Sequence, residues 1–165
     1  MKPSRSQQPE HAEELQFFIR IKHPSIDPAE ITRLLDVEPE QTVAAGPNMS
    51  SAGVRRLHNE TYWIARLPSI ATADPSRHFR ENLLEDFAPM LAKDELVGLI
   101  GASEHDALVL LRLKRFDAKQ DFFDRINREG GSVTLIVDRG EPHQPVVLKR
   151  ALQKLSALGI ALEID

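Results

Sequence analysis

The sequence predicts an α+β fold, a mixed sheet of about five strands with helices mainly on one face. Strand and helix signals alternate along the chain. The clearest strand segments, 15–22, 61–67 and 160–164, are two-faced rather than uniformly apolar, as in a sheet with one face packed and the other wet. At 165 residues, folding removes roughly 70% of the extended chain's surface from water, which is enough for a self-sufficient core.

Residues 1–14 are polar, hold Pro3 and Pro9 and lack periodicity, so a disordered tail is expected ahead of one α+β domain over 15–165. Leu15, Phe17, Ile19 and Ile21 then alternate with Gln16, Phe18, Arg20 and Lys22, the clearest strand in the chain. His23-Pro24-Ser25-Ile26 turns the backbone. Asp27-Pro28-Ala29-Glu30 supplies an N-cap, a proline at the first helical position and a glutamate three residues after the cap. A short helix is expected there, with Ile31, Leu34 and Leu35 on one face, ending near Asp36 ahead of Pro39. Between Glu38 and Asn59 periodicity fades and Pro39, Gly46, Pro47, Ser50, Ser51 and Gly53 accumulate. This reads as the longest loop, and long loops in small domains often carry function.

Thr61 to Leu67 reads as a second strand, with Trp63, Ala65 and Leu67 on one face and Tyr62, Ile64 and Arg66 on the other. Asp74 or Ser76 can cap a helix in which Phe79, Leu83, Phe87, Met90 and Leu91 recur at helical spacing, with Pro89 near its end. After Gly98 and Gly101, Ala107 to Lys114 is apolar enough for a central strand. Phe122, Phe123 and Ile126 mark a helix ended by Gly130-Gly131, Val133 to Val137 a strand, and Arg139-Gly140-Glu141-Pro142 a turn. Leu148, Ala151, Leu152 and Leu155 form the apolar face of a last helix capped by Gly159, before a final strand with Ile160, Leu162 and Ile164. The order is β-α-β-α-β-α-β-α-β. Alternation of this kind argues for a doubly wound α/β sheet, but the two-faced strands favour an α+β sandwich resembling ferredoxin-like folds.

Composition narrows the function. A formal charge of −4, from 21 basic and 25 acidic residues, gives no net positive field for phosphate backbones, so nucleic acid is not an expected partner. The absence of cysteine removes disulfides, thiolate catalysis and Cys-containing metal sites. The first fourteen residues lack the apolar stretch of a signal peptide, and no apolar run approaches the ~20 residues that cross a bilayer. A soluble protein without membrane partners is expected, with the cytoplasm as its compartment.

No motif for phosphate cradling is present, neither Gly-x-Gly-x-x-Gly after a strand nor Gly-x-x-x-x-Gly-Lys-Ser/Thr. The six histidines, His11, His23, His58, His78, His105 and His143, never fall at metal-ligand spacing. Glu104-His105-Asp106 has residue types suited to acid–base work, but ahead of a strand its side chains would diverge, so a solvated turn is expected. There is no Gly-x-Ser-x-Gly elbow. The aromatic pair Phe17-Phe18 lacks the basic-Gly-aromatic signature of RNA-recognition strands. No catalytic residue, cofactor or metal is assigned from these patterns.

The stretch Phe18-Ile19-Arg20-Ile21-Lys22-His23-Pro24-Ser25-Ile26-Asp27-Pro28-Ala29-Glu30-Ile31-Thr32-Arg33-Leu34-Leu35 resembles the opening of a bacterial family known as domain of unknown function 4279. Gly46, the Tyr62-Trp63 strand and the closing segment from Leu155 to Asp165 agree with it. The resemblance spans residues 15–165 and is strongest at the two ends. It implies a small bacterial intracellular domain, with no catalytic residues to carry over.

The expected function is therefore a non-enzymatic binding or interaction module, acting on a protein partner such as a toxin or on a small ligand. His23, Asp27, Arg33, Gly46, His58, Tyr62 and Trp63 are its candidate contacts. Tyr and Trp suit recognition because they combine a large contact area with a polar handle. One alternative is a small enzyme with its site between the end of the first strand and the 38–59 loop, using His23, Asp27, Arg33 and His58. Another is a homodimer paired through an edge strand at 160–164.

Overall fold

A computed structural model of the chain describes residues 15–49, 53, 55–68, 88–100, 102–139 and 148–165. Its main sheet has five strands in the order β2-β5-β1-β6-β7. They are β1 (Gln16–His23), β2 (Gln41–Val43), β5 (Thr61–Arg66), β6 (Ser132–Asp138) and β7 (Ala161–Ile164). A separate two-stranded ladder joins β3 (Gly46–Met49) to β4 (Arg55–His58). Five α-helices lie among the described residues: α1 (Pro28–Leu35), α2 (Lys93–Ile100), α3 (Glu104–Lys114), α4 (Gln120–Arg128) and α5 (Lys149–Leu158).

Alternation in β1 sets the core. Ile21 stands opposite Trp63 on β5 and Val133 on β6, and Ile19 opposite Ala65 and Leu135. Because period-2 geometry sends these side chains to one face, they meet Ile31 and Leu35 of α1, Val109 and Leu113 of α3, Phe123 and Ile126 of α4, and Ala151, Leu155 and Leu158 of α5. Phe116, just past α3, meets Phe123 edge-on at 5.6 Å and 72°, a favoured aromatic geometry. Each fully buried large side chain here contributes about 1.5–3 kcal/mol. The opposite face carries Phe18, Arg20, Lys22, Tyr62 and Ile64, all half-buried.

β1 is antiparallel to both β5 and β6, and β2 is antiparallel to β5. β1 and β2, joined through α1, are therefore parallel with β5 inserted between them. This split βαβ arrangement is compatible with a ferredoxin-like fold. β6, α5 and β7 then add a parallel strand at the edge. Three of the four ladders of the main sheet are antiparallel, so the doubly wound parallel sheet is not what forms; the fold is α+β with a mixed sheet.

The expected central strand at 107–114 is instead helix α3. Ser103 caps it, accepting from the Asp106 amide at 3.1 Å, and its Leu, Ala, Arg and Lys residues are good helix formers. The apolar run misleads because α3 is covered on more than one side: Val109 and Leu113 face the sheet, while Ala107, Leu110 and Leu111 belong to a second cluster with Leu91 and Leu99. The expected 38–59 loop holds β2, β3 and β4. β2 and β4 bury almost nothing, so no apolar alternation marks them. Helix α2, whose Leu99 joins that second cluster, was likewise not among the expected elements. The helix expected around Phe79, Leu83 and Phe87 falls on 69–87, outside the described residues, as do the tail at 1–14 and most of the 139–142 turn; Met90 ends a 3₁₀ turn at Ala88–Met90. No helix among the described residues is long and apolar enough to cross a membrane.

Candidate functional site

The end of β1, where sequence reasoning places the site, is a buried polar knot. The His23 side chain is 4% exposed. Its Nδ1 accepts from the amides of Ser25 at 3.1 Å and Ile26 at 2.9 Å. Two donors at Nδ1 assign the proton to Nε2, which donates to Glu129 Oε2 at 3.0 Å. The Pro24-Ser25-Ile26 turn thus wraps around the imidazole. Thr61, wholly buried, donates to the Ile26 carbonyl at 2.7 Å and accepts from the Ala45 amide at 3.0 Å. The first turn, β5 and the start of the β3–β4 ladder are tied together through one hydroxyl. Gly131 closes the knot: a Cβ there would lie 2.5 Å from the Lys22 carbonyl oxygen and 2.9 Å from His23 Cδ2.

Of the other candidates, Asp27, Trp63 and Gly46 take structural places around it. Asp27 caps α1, accepting from the Ala29 amide at 2.8 Å. Trp63 is 0% exposed and its indole N–H donates to Thr32 Oγ1 at 3.0 Å, so it anchors α1 to the sheet rather than offering a surface for a partner. Gly46, at φ +101°, stands opposite His58 across the β3–β4 ladder; its backbone lies in the left-handed region that favours glycine. Tyr62 is half-buried on the open face of the sheet, and Arg33 is exposed on α1. Among the described residues, no hydrogen bond or ion pair joins His23, Asp27, Arg33 and His58 to one another. His23 and Asp27 hold the fold's corner together.

A cleft lies elsewhere, between α2, α3 and α5, with a volume of about 470 Å³. Leu99, Leu110 and Leu111 supply its apolar lining; Glu95, Lys114, Asp117, Arg150 and Lys154 add charge. Lys114 Nζ reaches both Glu95 oxygens at 2.9 and 2.8 Å, and Lys154 pairs with Asp117. The Lys114 hydrogen bond, then the Ala92 amide, hold the Glu95 carboxyl below its ordinary pKa, and the same bond raises Lys114. Arg150 Nη1 donates to the Gly98 carbonyl at 2.6 Å, linking α5 to α2. No carboxylate pairs with Arg150 among the described residues.

The wall of this cleft is fixed by a residue the sequence places in a solvated turn. Asp106 is 2% exposed, and its carboxylate accepts from the amides of Lys149, Arg150 and Ala151 at 3.1, 3.1 and 2.9 Å. Because α5 has no side-chain cap of its own, a carboxylate from α3 satisfies its first amides and the positive end of its dipole. This is the correction to the Glu104-His105-Asp106 reading: on a helix, Asp106 turns inward. The signal was Ser103-x-x-Asp106, which has the spacing of a capping box.

The profile of the family described as "Domain of unknown function (DUF4279)" matches residues 13–165, nearly the whole chain. No curated protein and no solved structure matches it.

Proposed function

This chain belongs to the DUF4279 family, and from that premise, which carries no activity, we propose that it is a non-enzymatic binding module whose site is the cleft between α2, α3 and α5. The observation that carries this is the cleft itself: about 470 Å³, with an apolar lining and charged residues around it. Small-molecule sites combine these features, since apolar walls supply affinity and a few polar groups fix orientation. Its walls are braced by two ion pairs, the Arg150 link and the Asp106 cap, so little ordering is needed on binding. The corner around His23 has its polar groups committed internally, which favours the cleft over the first-strand turn.

A fragment screen by NMR tests this reading. Shift changes are expected to cluster on residues 95–99, 110–114 and 150–154. Leu111→Trp, which places a large ring in the cleft, is expected to weaken every hit by about tenfold or more, as loss of roughly 1.4 kcal/mol requires. Hits that scatter over the surface, or that ignore Leu111→Trp in a folded variant, would remove the proposal.

A further inference from the structure

Resting on the cleft as a binding site, we infer that its ligand is an amphiphile with one oxyanion head and an aliphatic body, the head held by Arg150. The lining charges do not cancel. Lys114, Arg150 and Lys154 stand against Glu95 and Asp117. Lys114 and Lys154 are each occupied by a carboxylate. Among the described residues the Arg150 side chain is bound through one nitrogen to the Gly98 carbonyl, which leaves donors of its planar fork available. A guanidinium presents paired N–H groups that match carboxylate or phosphate oxygens.

The α5 N-terminus is not the source of this preference. Asp106 already takes the amides of residues 149 to 151, so the anion-binding capacity of that helix end is used up inside the fold. Among the described lining cations, the one that no carboxylate holds is Arg150. Leu99, Leu110 and Leu111 supply the apolar lining, and the polar lining groups other than Arg150 and Gln153 are paired with one another as Lys114–Glu95 and Lys154–Asp117, which favours a hydrocarbon body over one rich in hydroxyls. The two carboxylates, held by their lysines, sort the head by charge: an ammonium would have to displace Lys114 or Lys154 to reach one.

Isothermal titration of the full chain with decanoate, decyl phosphate, decanol and decyltrimethylammonium reads this directly. Decanoate or decyl phosphate is expected to bind at least about tenfold more tightly than decanol, the scale of one charge-assisted contact, with the ammonium weakest; which of the two anions binds better distinguishes a free carboxylate from a phosphate ester. Arg150→Gln is expected to erase that margin, read as the anion-to-decanol ratio within the variant because loss of the Gly98 link affects both ligands, and Arg150→Lys to restore part of it, with circular dichroism showing both variants folded. Decanol equal to the anions, or a margin that survives Arg150→Gln, overturns the head-group assignment and leaves the cleft reading standing. If no probe binds and the fragment hits also avoid the cleft, both fail.

Discussion

His23 shows how one side chain can define a corner. Its Nδ1 holds two amides of the following turn and its Nε2 reaches Glu129, so removing the ring leaves two amide donors without their acceptor and opens a void. His23→Ala is expected to cost about 2–4 kcal/mol, the sum of unsatisfied amides and lost packing. His23→Asn, whose amide oxygen can stand near the position of Nδ1, is expected to cost about half as much. Urea denaturation of the three proteins checks the ranking. Equal losses for Ala and Asn would show that the turn does not depend on the Nδ1 acceptor.

At the scale of elements, most helices and strands announce themselves locally, but the α3–α5 junction does not. Asp106 and Ala151 are 45 positions apart, and nothing near Leu148 signals that α5 borrows its cap. Asp106→Ala is therefore expected to destabilise the protein by about 2 kcal/mol, at the upper part of the capping range because three amides lose their acceptor in a buried place. Hydrogen exchange should show the loss first at residues 149–151. Asp106→Asn, keeping one carbonyl acceptor, should fall between. If the first turn of α5 stays protected in Asp106→Ala, the remote cap is not what holds it. The same junction explains why the α3 segment reads as a strand in sequence: an apolar segment packed against both the sheet and a second helix cluster loses the one-sided stripe that distinguishes a helix from a buried strand.

At the scale of the whole molecule, the arrangement sets a gradient of stability. β1 is laddered on both edges along nearly its full length and carries the core face. The β3–β4 pair stands outside the main sheet, with Arg55, Arg56 and Leu57 exposed. Local opening should follow this order. Native-state hydrogen exchange is expected to be slowest in residues 17–22 and 133–137 and fastest in 46–49 and 55–58. Comparable protection in the outer ladder would mean that it opens only with the core.

Local pattern alone marks the central strand, its turn, the capped helix after it, the Trp63 strand and the closing helix and strand. Each of these has a local physical cause: alternation toward a single packed face, a capping residue, or a glycine in the left-handed conformation such as Gly159 at φ +68°. It also carried the family resemblance, on those same segments. Tertiary structure decided that 107–114 is a helix, that the 38–59 stretch contains strands, and that the cleft lies between helices rather than at the His-Pro turn. The reason is range. A cavity is made by surfaces that meet from positions as far apart as Glu95 and Lys154, and neither member of such a contact alters the local pattern of the other. The residues with the most conspicuous local chemistry, His23, Asp27 and Trp63, are conspicuous because the fold consumes their polar groups. Arg150, which no carboxylate pairs with among the described residues of the cleft, looks in sequence like any exposed base on a helix.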